Sequence, residues 1–156
     1  MFDKHIEVRE IMTRKVITVS SDQTMDQAAE VFESRDLHHI PVVDDGKVVG
    51  MLSTTDLHKV THHFTLFKVH NSDVVNQSVL RSLLTREVMT SPVATIQTSC
   101  SLETVASIFR ENLFHALPVI ESNGDLAGIV TPFDLMNYAY GPDEFELTES
   151  HHKKMV

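Results

Sequence analysis

The chain has 156 residues, of which 42% are hydrophobic and 22% are charged, as is typical of a soluble globular protein. Its formal net charge of −9 excludes a broad surface for nucleic acid or anionic membranes, because such a surface would repel phosphate. The single cysteine, Cys100, excludes an intramolecular disulfide, and no apolar segment approaches the length of a membrane span. We therefore expect a cytoplasmic protein without membrane insertion.

The first predicted elements are a short strand and a helix. Residues 16–19 form a β-prone run after a polar turn. Thr24 and Gln27 have the spacing of a capping box, which predicts that a helix begins after Thr24. Hydrophobic residues then recur at i, i+3, i+4 and i+7, which predicts one buried helix face: Met25, Ala28, Ala29 and Phe32.

A β-hairpin and a second helix are predicted next. Residues 40–43 and 48–52 are apolar runs, and Gly46 supplies the positive φ that the turn between them needs. Pro41 has no N–H to donate, so we expect it at a strand start or on a sheet edge. A helix follows the hairpin, which makes the unit β-α-β-β-α, with one small sheet and helices on a face.

The same unit occurs a second time, at an offset of 77 residues that becomes 78 after one extra residue in the second turn. The aligned pairs run in order through the whole unit: Met12 with Met89, Phe32 with Phe109, His38 with His115, Pro41 with Pro118, Gly50 with Gly128 and Asp56 with Asp134. A unit of about 50 residues is too small to bury a good core alone, so we expect the two copies to pack together.

The stretch that closes each hairpin carries the clearest chemical signal. Ser53 stands three residues before Asp56, and Thr131 stands three before Asp134, so each pair fits a helix cap. Pro132 fits the first helical position. A helix start offers free N–H groups to phosphate, and a carboxylate can accept hydrogen bonds from a sugar diol. One capping box is usually structural, but its recurrence at the same place favours a site for a ribose phosphate.

These motifs together resemble a pair of CBS domains (cystathionine β-synthase type), also called a Bateman module. The features are Met-Thr before the first strand, His-x-x-Pro-Val at the second, and a Gly followed by Ser/Thr-x-x-Asp after the third. The resemblance implies an α/β (α+β) fold of two units related by a pseudo-two-fold axis, with packed small sheets, outer helices and two clefts. It divides the chain into CBS domain 1 (8–60), a linker helix or loop (61–83), CBS domain 2 (84–140) and a polar C-terminal tail (141–156).

The resemblance also implies a function. In this family the clefts bind adenosine compounds, commonly AMP, ADP, ATP or S-adenosylmethionine, and binding regulates an attached or associated protein. We therefore expect a regulatory adenosine-ligand sensor that acts on a partner through a homodimer. The alternative is a ligand-free dimerisation or protein-interaction module. No activated nucleophile, paired-carboxylate or zinc-protease motif appears in the sequence, so we expect no enzyme activity.

The resemblance assigns site residues in pairs, one from each copy. The ribose hydroxyls are assigned to Asp56 and Asp134. The phosphate is assigned to two hydroxyl residues and two histidines: Ser53, Thr131, His38 and His115. The adenine pockets are assigned to four apolar residues: Val16, Ile40, Val93 and Leu117. For the two histidines, packing at the helix-to-strand turn is an equally good interpretation.

Basic residues are sparse around these positions. His38, His39 and either Arg14 or Lys15 lie near the first cleft by sequence, while Ser91-Pro92 takes the place of the basic pair in the second copy. The charges of a polyphosphate need local compensation. We therefore favour AMP, or an adenosine compound with an uncharged tail, over ATP, and we expect no other cofactor.

The linker leaves two questions open. Residues 74–84 are compatible with a short helix, and Phe64, Leu66 and Phe67 either cover a cleft, form a dimer contact or pack on their own unit. His58 and His62 stand at i and i+4, which is a spacing that suits zinc or nickel. No nearby cluster supplies the remaining ligands, so we expect no metal site.

Overall fold

Two hairpins and their flanking helices make up most of the computed structural model, which describes residues 3–65 and 72–141. The side chains of residues 62–65, 72 and 73 fall outside this description, as do residues 66–71 and the tail from 142 onwards. The expectations for His62, Phe64, Leu66, Phe67 and the tail therefore concern parts of the chain that are not described.

The elements follow the order expected for a duplicated unit. In chain order they are a 3₁₀ helix (Val8–Glu10), α1 (Met25–Arg35), β1 (His39–Asp44), β2 (Lys47–Ser53), α2 (Thr54–Thr65), α3 (Ser72–Ser82), α4 (Thr85–Val88), β3 (Ile96–Gln97), α5 (Leu102–Asn112), β4 (Leu117–Ile120), β5 (Leu126–Val130) and α6 (Pro132–Tyr140). Helices α1 and α2 and strands β1 and β2 form the first unit. Helices α5 and α6 and strands β3 to β5 form the second. Helix α3 packs against α1 and α2. The expected α/β (α+β) fold is confirmed.

The two sheets are small and differ in one strand. Strands β1 and β2 form an antiparallel pair, whereas β3, β4 and β5 form a three-stranded sheet in which β3 runs parallel to β4. The strand expected at residues 16–19 is reduced to one bridge, between Val19 and Val42. The N–H of Val16 bonds within its own segment, to the carbonyl of Arg14 at 3.0 Å, and the N–H groups of Ser20 and Ser21 donate to side-chain oxygens of Gln23 and Asp44, so neither end of the run extends the ladder.

The prolines occupy positions where a missing N–H breaks no ladder bond. Pro41 lies opposite Met51 in the β1–β2 register. Met51 uses its N–H and its carbonyl on Thr90, on the other side of β2, at 3.0 and 2.9 Å. Pro41 and Met51 are therefore a non-hydrogen-bonded pair, in which the proline costs the sheet nothing. Pro118 is placed in the same way, opposite Ile129.

Helix α1 buries the face that its sequence predicts. Met25, Ala28, Ala29 and Phe32 are all buried, and the side-chain oxygen of Gln27 accepts the backbone N–H of Thr24, as a capping box requires. On the corresponding face of α5, Leu102, Val105 and Phe109 are buried in the second unit, whereas Ala106 is exposed. These two helices close the two hydrophobic cores over their sheets.

Each core includes the leading segment of the other copy. Val8 and Met12, which begin the first copy, are buried in the core of the second unit. Val88 and Met89, which begin the second copy, pack against the core of the first unit. The pseudo-two-fold relation extends to the backbone, since Val8 donates to Cys100 at 2.7 Å as Thr85 donates to Gln23 at 2.8 Å. The two units are thus interlocked by exchanged segments.

Glycine is required where these segments cross the sheets. A Cβ added at Gly50 would lie 2.3 Å from Sδ of Met89 and 3.1 Å from the carbonyl of Thr90. A Cβ at Gly128 would lie 2.6 Å from Sδ of Met12. The repeated glycine therefore makes room for the exchanged methionine of the opposite copy.

Candidate functional site

A cleft of about 390 Å³ lies where the end of β2 meets the exchanged segment of the second copy. Helix α2 begins at one wall, and residues 92–94 form the opposite wall. The loop before β4 closes one end with His115. Both units therefore contribute to this cleft, which we call the α2 cleft.

The start of α2 holds a carboxylate in a fixed position. Oδ2 of Asp56 accepts the N–H of Ser53 at 3.0 Å and its hydroxyl at 2.6 Å, while Oγ of Ser53 accepts the N–H of Asp56 at 3.2 Å. The other oxygen, Oδ1, has Nζ of Lys59 at 3.5 Å. The Asp56 side chain is 15% exposed and that of Lys59 is 71% exposed, so this ion pair is weak and solvated. Oδ1 is therefore positioned to accept a hydrogen bond from a ligand hydroxyl.

The start of α6 repeats this arrangement in the second unit. Oδ2 of Asp134 accepts the N–H and the hydroxyl of Thr131 at 2.7 and 2.8 Å, and the N–H of Asp134 donates back to Oγ1 of Thr131 at 3.3 Å. Burial raises the pKa of the Asp134 carboxyl, although the hydrogen bonds from Thr131 oppose the shift. The segment that carries Val16 approaches this cap, because Thr13 pairs with Ile129 as Thr90 pairs with Met51.

The structure mixes the two copies within each cleft. Ser53 and Asp56 of the first copy share the α2 cleft with Val93 and His115 of the second. Val93 is half-buried and presents an apolar wall. Sequence proximity had placed His38, His39 and either Arg14 or Lys15 near the cleft of Asp56. His39 lines the α2 cleft, whereas the others do not. The cause is the exchange of leading segments: Thr90 pairs with Met51 of β2, which brings Val93 to the cleft beside α2 before the chain enters β3 of its own unit.

Two assigned residues lie behind the cleft rather than in it. Ile40 is 0% exposed and Leu117 is 1% exposed, and both side chains belong to the hydrophobic cores. Neither lines the α2 cleft. Their position just before the prolines places them on the buried face of β1 and β4, so they support the cleft through packing.

His39, which the sequence placed near the first cleft without assigning it a role, is a residue of the α2 cleft. It lines the α2 cleft and stacks on His115, with ring centroids 6.0 Å apart and an angle of 29° between the planes. Burial lowers the pKa of His39, as do His115 and His38 nearby, whereas Asp56 raises it. The hairpin register explains this position, because His39 pairs with Ser53 across β1 and β2 and so lies beside the cap of α2.

The described residues include neither a cluster of metal ligands nor a helix that could span a membrane. Within residues 3–65 and 72–141, no group of three or more His, Cys, Asp or Glu side chains is placed to hold a metal ion. His58 is exposed on α2, and the side chain of His62 lies outside the description. In the part of the chain that the structure describes, no helix combines the length and the hydropathy needed to cross a bilayer.

A family model decides which family this duplicated unit represents. The model for the CBS domain matches twice, at residues 8–63 and 85–141. The chain belongs to the CBS domain family. The resemblance deduced from the motifs is thereby confirmed, and the matched segments make the chain a tandem CBS pair.

Relatives of this CBS pair include proteins of different length. The chain is 26% identical over 136 residues to an uncharacterized protein of Methanocaldococcus jannaschii, covering 87% of this chain and 48% of that protein. It is 28% identical over 131 residues to a CBS domain-containing protein of Dictyostelium discoideum, covering 83% of this chain and 88% of that protein. The chain therefore spans about half of the archaeal relative and most of the Dictyostelium one.

Solved structures of CBS pairs have the same fold. The crystal structure of the same M. jannaschii protein superimposes with a TM-score of 0.75 at 25% identity, covering 88% of this chain and 49% of that one. The CBS-pair protein CBSX2 from Arabidopsis thaliana superimposes with a TM-score of 0.73 at 27% identity, covering 86% of this chain and 94% of that one. CBSX2 has also been crystallised in complex with AMP. Another CBS domain pair, with a TM-score of 0.67 at 24% identity, was crystallised with 5′-methylthioadenosine and S-adenosyl-L-methionine. At 24% identity, that likeness shows the fold alone.

Proposed function

We propose that this CBS pair is a regulatory module that binds an adenosine compound in the α2 cleft and in the equivalent cleft at α6. The observation that carries the proposal is the Asp56 carboxylate, which Ser53 holds by one oxygen while the other faces a cleft shared by both units. The cleft volume of about 390 Å³ lies within the range of small-molecule sites. Complexes of CBSX2 with AMP and of another CBS pair with S-adenosyl-L-methionine support an adenosine ligand.

The ribose is assigned to the two cap carboxylates. Asp56 and Asp134 each use Oδ2 for the helix cap, which leaves Oδ1 to accept hydrogen bonds from the 2′ and 3′ hydroxyls. Since the cap fixes the carboxylate before the ligand arrives, little side-chain entropy is lost on binding. This preorganisation favours a ligand-binding role over a purely structural cap.

The phosphate is assigned to the start of α2, with one refinement of the residue assignment. Ser53 has a single O–H, which it donates to Asp56 at 2.6 Å. Thr55, the second residue of α2, is exposed and lines the cleft, so its hydroxyl is available to a phosphate oxygen at the start of the helix. His115 completes this end of the cleft in the α2 site, and the repeat places His38 in the equivalent position near α6.

The purine is assigned to the wall formed by the exchanged segment. Val93 in the α2 cleft and Val16 in the equivalent cleft supply the apolar surface on which an adenine ring packs, and the backbone of these extended segments reads the edge of the base. Ile40 and Leu117 support these walls from the cores. The ligand therefore bridges the two units, with the ribose on one copy and the base on the other.

A monophosphate fits the charge of the α2 cleft better than a triphosphate. Among the described residues that line it, the groups that are or can become cationic are Lys59, His39 and His115. A triphosphate needs more compensation than these provide. AMP is therefore the favoured ligand, ahead of ADP and ATP, with S-adenosylmethionine as the alternative whose tail carries no phosphate.

The regulatory output is assigned to a cytoplasmic homodimer that acts on a partner protein. Helix α6 exposes large apolar side chains, with Phe133 at 62%, Met136 at 57% and Tyr140 at 89% exposure. Such a face is typical of an interaction surface. The same face supports the second candidate function, a ligand-free dimerisation or protein-interaction module.

Calorimetry and melting experiments separate these functions. We expect AMP to raise the melting temperature, because a ligand at a hundredfold excess over its Kd adds about 2.7 kcal/mol to the free energy of unfolding. Asp56→Ala and Asp134→Ala should each remove one site, whereas Glu30→Ala, an exposed carboxylate on α1, should remove none. If AMP, S-adenosylmethionine and adenosine all fail to bind, and light scattering shows the same dimer with and without them, the ligand-free module is the correct function.

A further inference from the structure

The stacked pair of His39 and His115 is a distinctive feature of the α2 cleft. The two residues come from different units, and their rings are 6.0 Å apart at the end of the cleft that adjoins the α2 cap. The repeat does not reproduce the pair. At an offset of 77 residues, His115 corresponds to His38 but His39 corresponds to Ala116, so the equivalent position near α6 has one imidazole and one methyl group.

We propose that His39 and His115 form a proton-linked anion subsite, at which the dianionic phosphate of a nucleoside monophosphate is bound together with a proton taken up by the histidine pair. This inference rests on the proposed function and adds the ligand class and its pH dependence. It also makes the two clefts unequal, since only the α2 cleft contains the pair.

The charged or titratable groups around His39 are His38 on the same segment, His115 across the cleft, and Asp56 and Lys59 on α2. Burial and the two neighbouring histidines hold the pKa of His39 below its usual value, and Asp56 opposes them weakly. The free protein therefore disfavours the charged form of His39. An anion bound at the N–H edges of the two rings reverses the balance, because a negative charge favours the protonated form of an adjacent imidazole.

The sign of the pH dependence follows from this balance. The histidine pKa is higher in the complex than in the free protein, so binding takes up protons and the affinity rises as the pH falls. The gain ends near pH 6, where the phosphate takes up a proton of its own. A charge-assisted hydrogen bond is stronger than a neutral one by enough to change the affinity about fivefold between pH 8.0 and 6.5. Adenosine carries no phosphate and should show no such change.

Isothermal titration calorimetry on the full chain tests the proposal. In the Asp134→Ala protein, which retains the α2 cleft, AMP should bind about fivefold more tightly at pH 6.5 than at pH 8.0. Two buffers with different heats of ionisation should reveal net proton uptake with AMP and none with adenosine. His39→Asn and His115→Asn should each abolish the pH dependence, whereas His58→Asn, exposed on α2 outside the cleft, should preserve it. Equal AMP affinity at the two pH values, or a pH dependence that survives both cleft substitutions, would overturn the inference.

A second measurement separates this inference from the proposed function. Inorganic phosphate, titrated into the protein while the imidazole C–H resonances are followed by NMR, should raise the pKa of His39 in the unsubstituted chain. The His39→Asn protein identifies that resonance, and His58 serves as the internal control. If phosphate raises this pKa while no nucleoside binds, the subsite stands and the adenosine function fails. If adenosine binds but neither phosphate nor AMP changes the imidazole titration, the function stands and the subsite fails.

Discussion

Met51 and Thr90 donate hydrogen bonds to each other, at 3.0 and 2.9 Å, although they belong to different copies of the repeat. Thr13 and Ile129 make the same pair of bonds on the other side, at 2.9 and 3.0 Å. These four bonds fix the exchanged segments against the hairpins. They also place Val93 opposite Asp56, and so they build the cleft as well as the fold.

The glycine beside this contact should not tolerate a side chain. Gly50→Ala would place Cβ 2.3 Å from Sδ of Met89, so we expect the free energy of unfolding to fall by about 1–3 kcal/mol through overpacking. Urea unfolding measures the change. In a double-mutant cycle, Met89→Ala should recover part of the loss, because it removes the atoms that clash. Strictly additive losses would show that Met89 is not the obstacle.

Truncating Met12 should destabilise the second unit, although Met12 belongs to the first copy by sequence. Met12→Ala should cost about 2–5 kcal/mol, because the side chain is buried in the core of the second unit. Hydrogen exchange should accelerate first in β4 and β5. Met25→Ala, which removes a buried methionine of the first core, is the matched control and should accelerate exchange in β1 and β2. Faster exchange confined to β1 and β2 in the Met12 variant would contradict the exchange of segments.

The Asp134 carboxyl should make a pH-dependent contribution to stability. Burial raises the pKa of this carboxyl, so the folded state holds its proton more tightly than the unfolded state does. The resulting stabilisation is fully present below the unfolded pKa and is lost as the pH rises through the folded pKa. Asp134→Asn keeps an oxygen for the cap of Thr131 and removes the charge. We expect the variant to gain stability relative to the parent as the pH rises from 3 to 7, with weaker nucleotide binding. Parallel stability curves in urea unfolding would refute this.

Truncating a core residue should mainly lower stability, whereas truncating a cleft residue should mainly weaken AMP binding. Ile40→Ala should cost about 2–5 kcal/mol of stability, since the side chain is fully buried. Val93→Ala should change the free energy of unfolding much less but weaken AMP binding, because the half-buried side chain lines the cleft. Calorimetry and urea unfolding on both proteins provide the comparison. If the Val93 variant binds AMP as tightly as the parent, Val93 does not form the adenine wall of the proposed site.

Local sequence patterns predicted most of the secondary structure. The apolar face of α1, the turn at Gly46 and the caps at Ser53 and Thr131 depend on residues within a few positions of each other. The helix expected at residues 74–84 is present as Ser72–Ser82. The β-prone run at residues 16–19 formed a single bridge, because N–H groups at both of its ends bond elsewhere: that of Val16 to the carbonyl of Arg14 and that of Ser20 to the side chain of Gln23.

The composition of the cleft was harder to predict because it depends on long-range pairing. The repeat aligned Val16 with Val93, but it gave no indication that Val93 lines a cleft together with Asp56 of the other copy. That outcome is decided by the packing of Met12 and Met89 in the other core. His39 was placed near the first cleft by its position in the sequence, but its pairing with Ser53 does not follow from counting back from Gly46, because a bulge between Val42 and Val43 shifts the register by one residue.

The exchanged segments have a mechanical consequence for any polypeptide joined to this module. A protein fused ahead of Val8 is anchored in the second half-molecule, through the 2.7 Å bond from Val8 to Cys100, and not in the half that follows it in the chain. Tension or rotation applied at that junction is therefore delivered to the second half-molecule, which also carries α6 near the other end of the described chain.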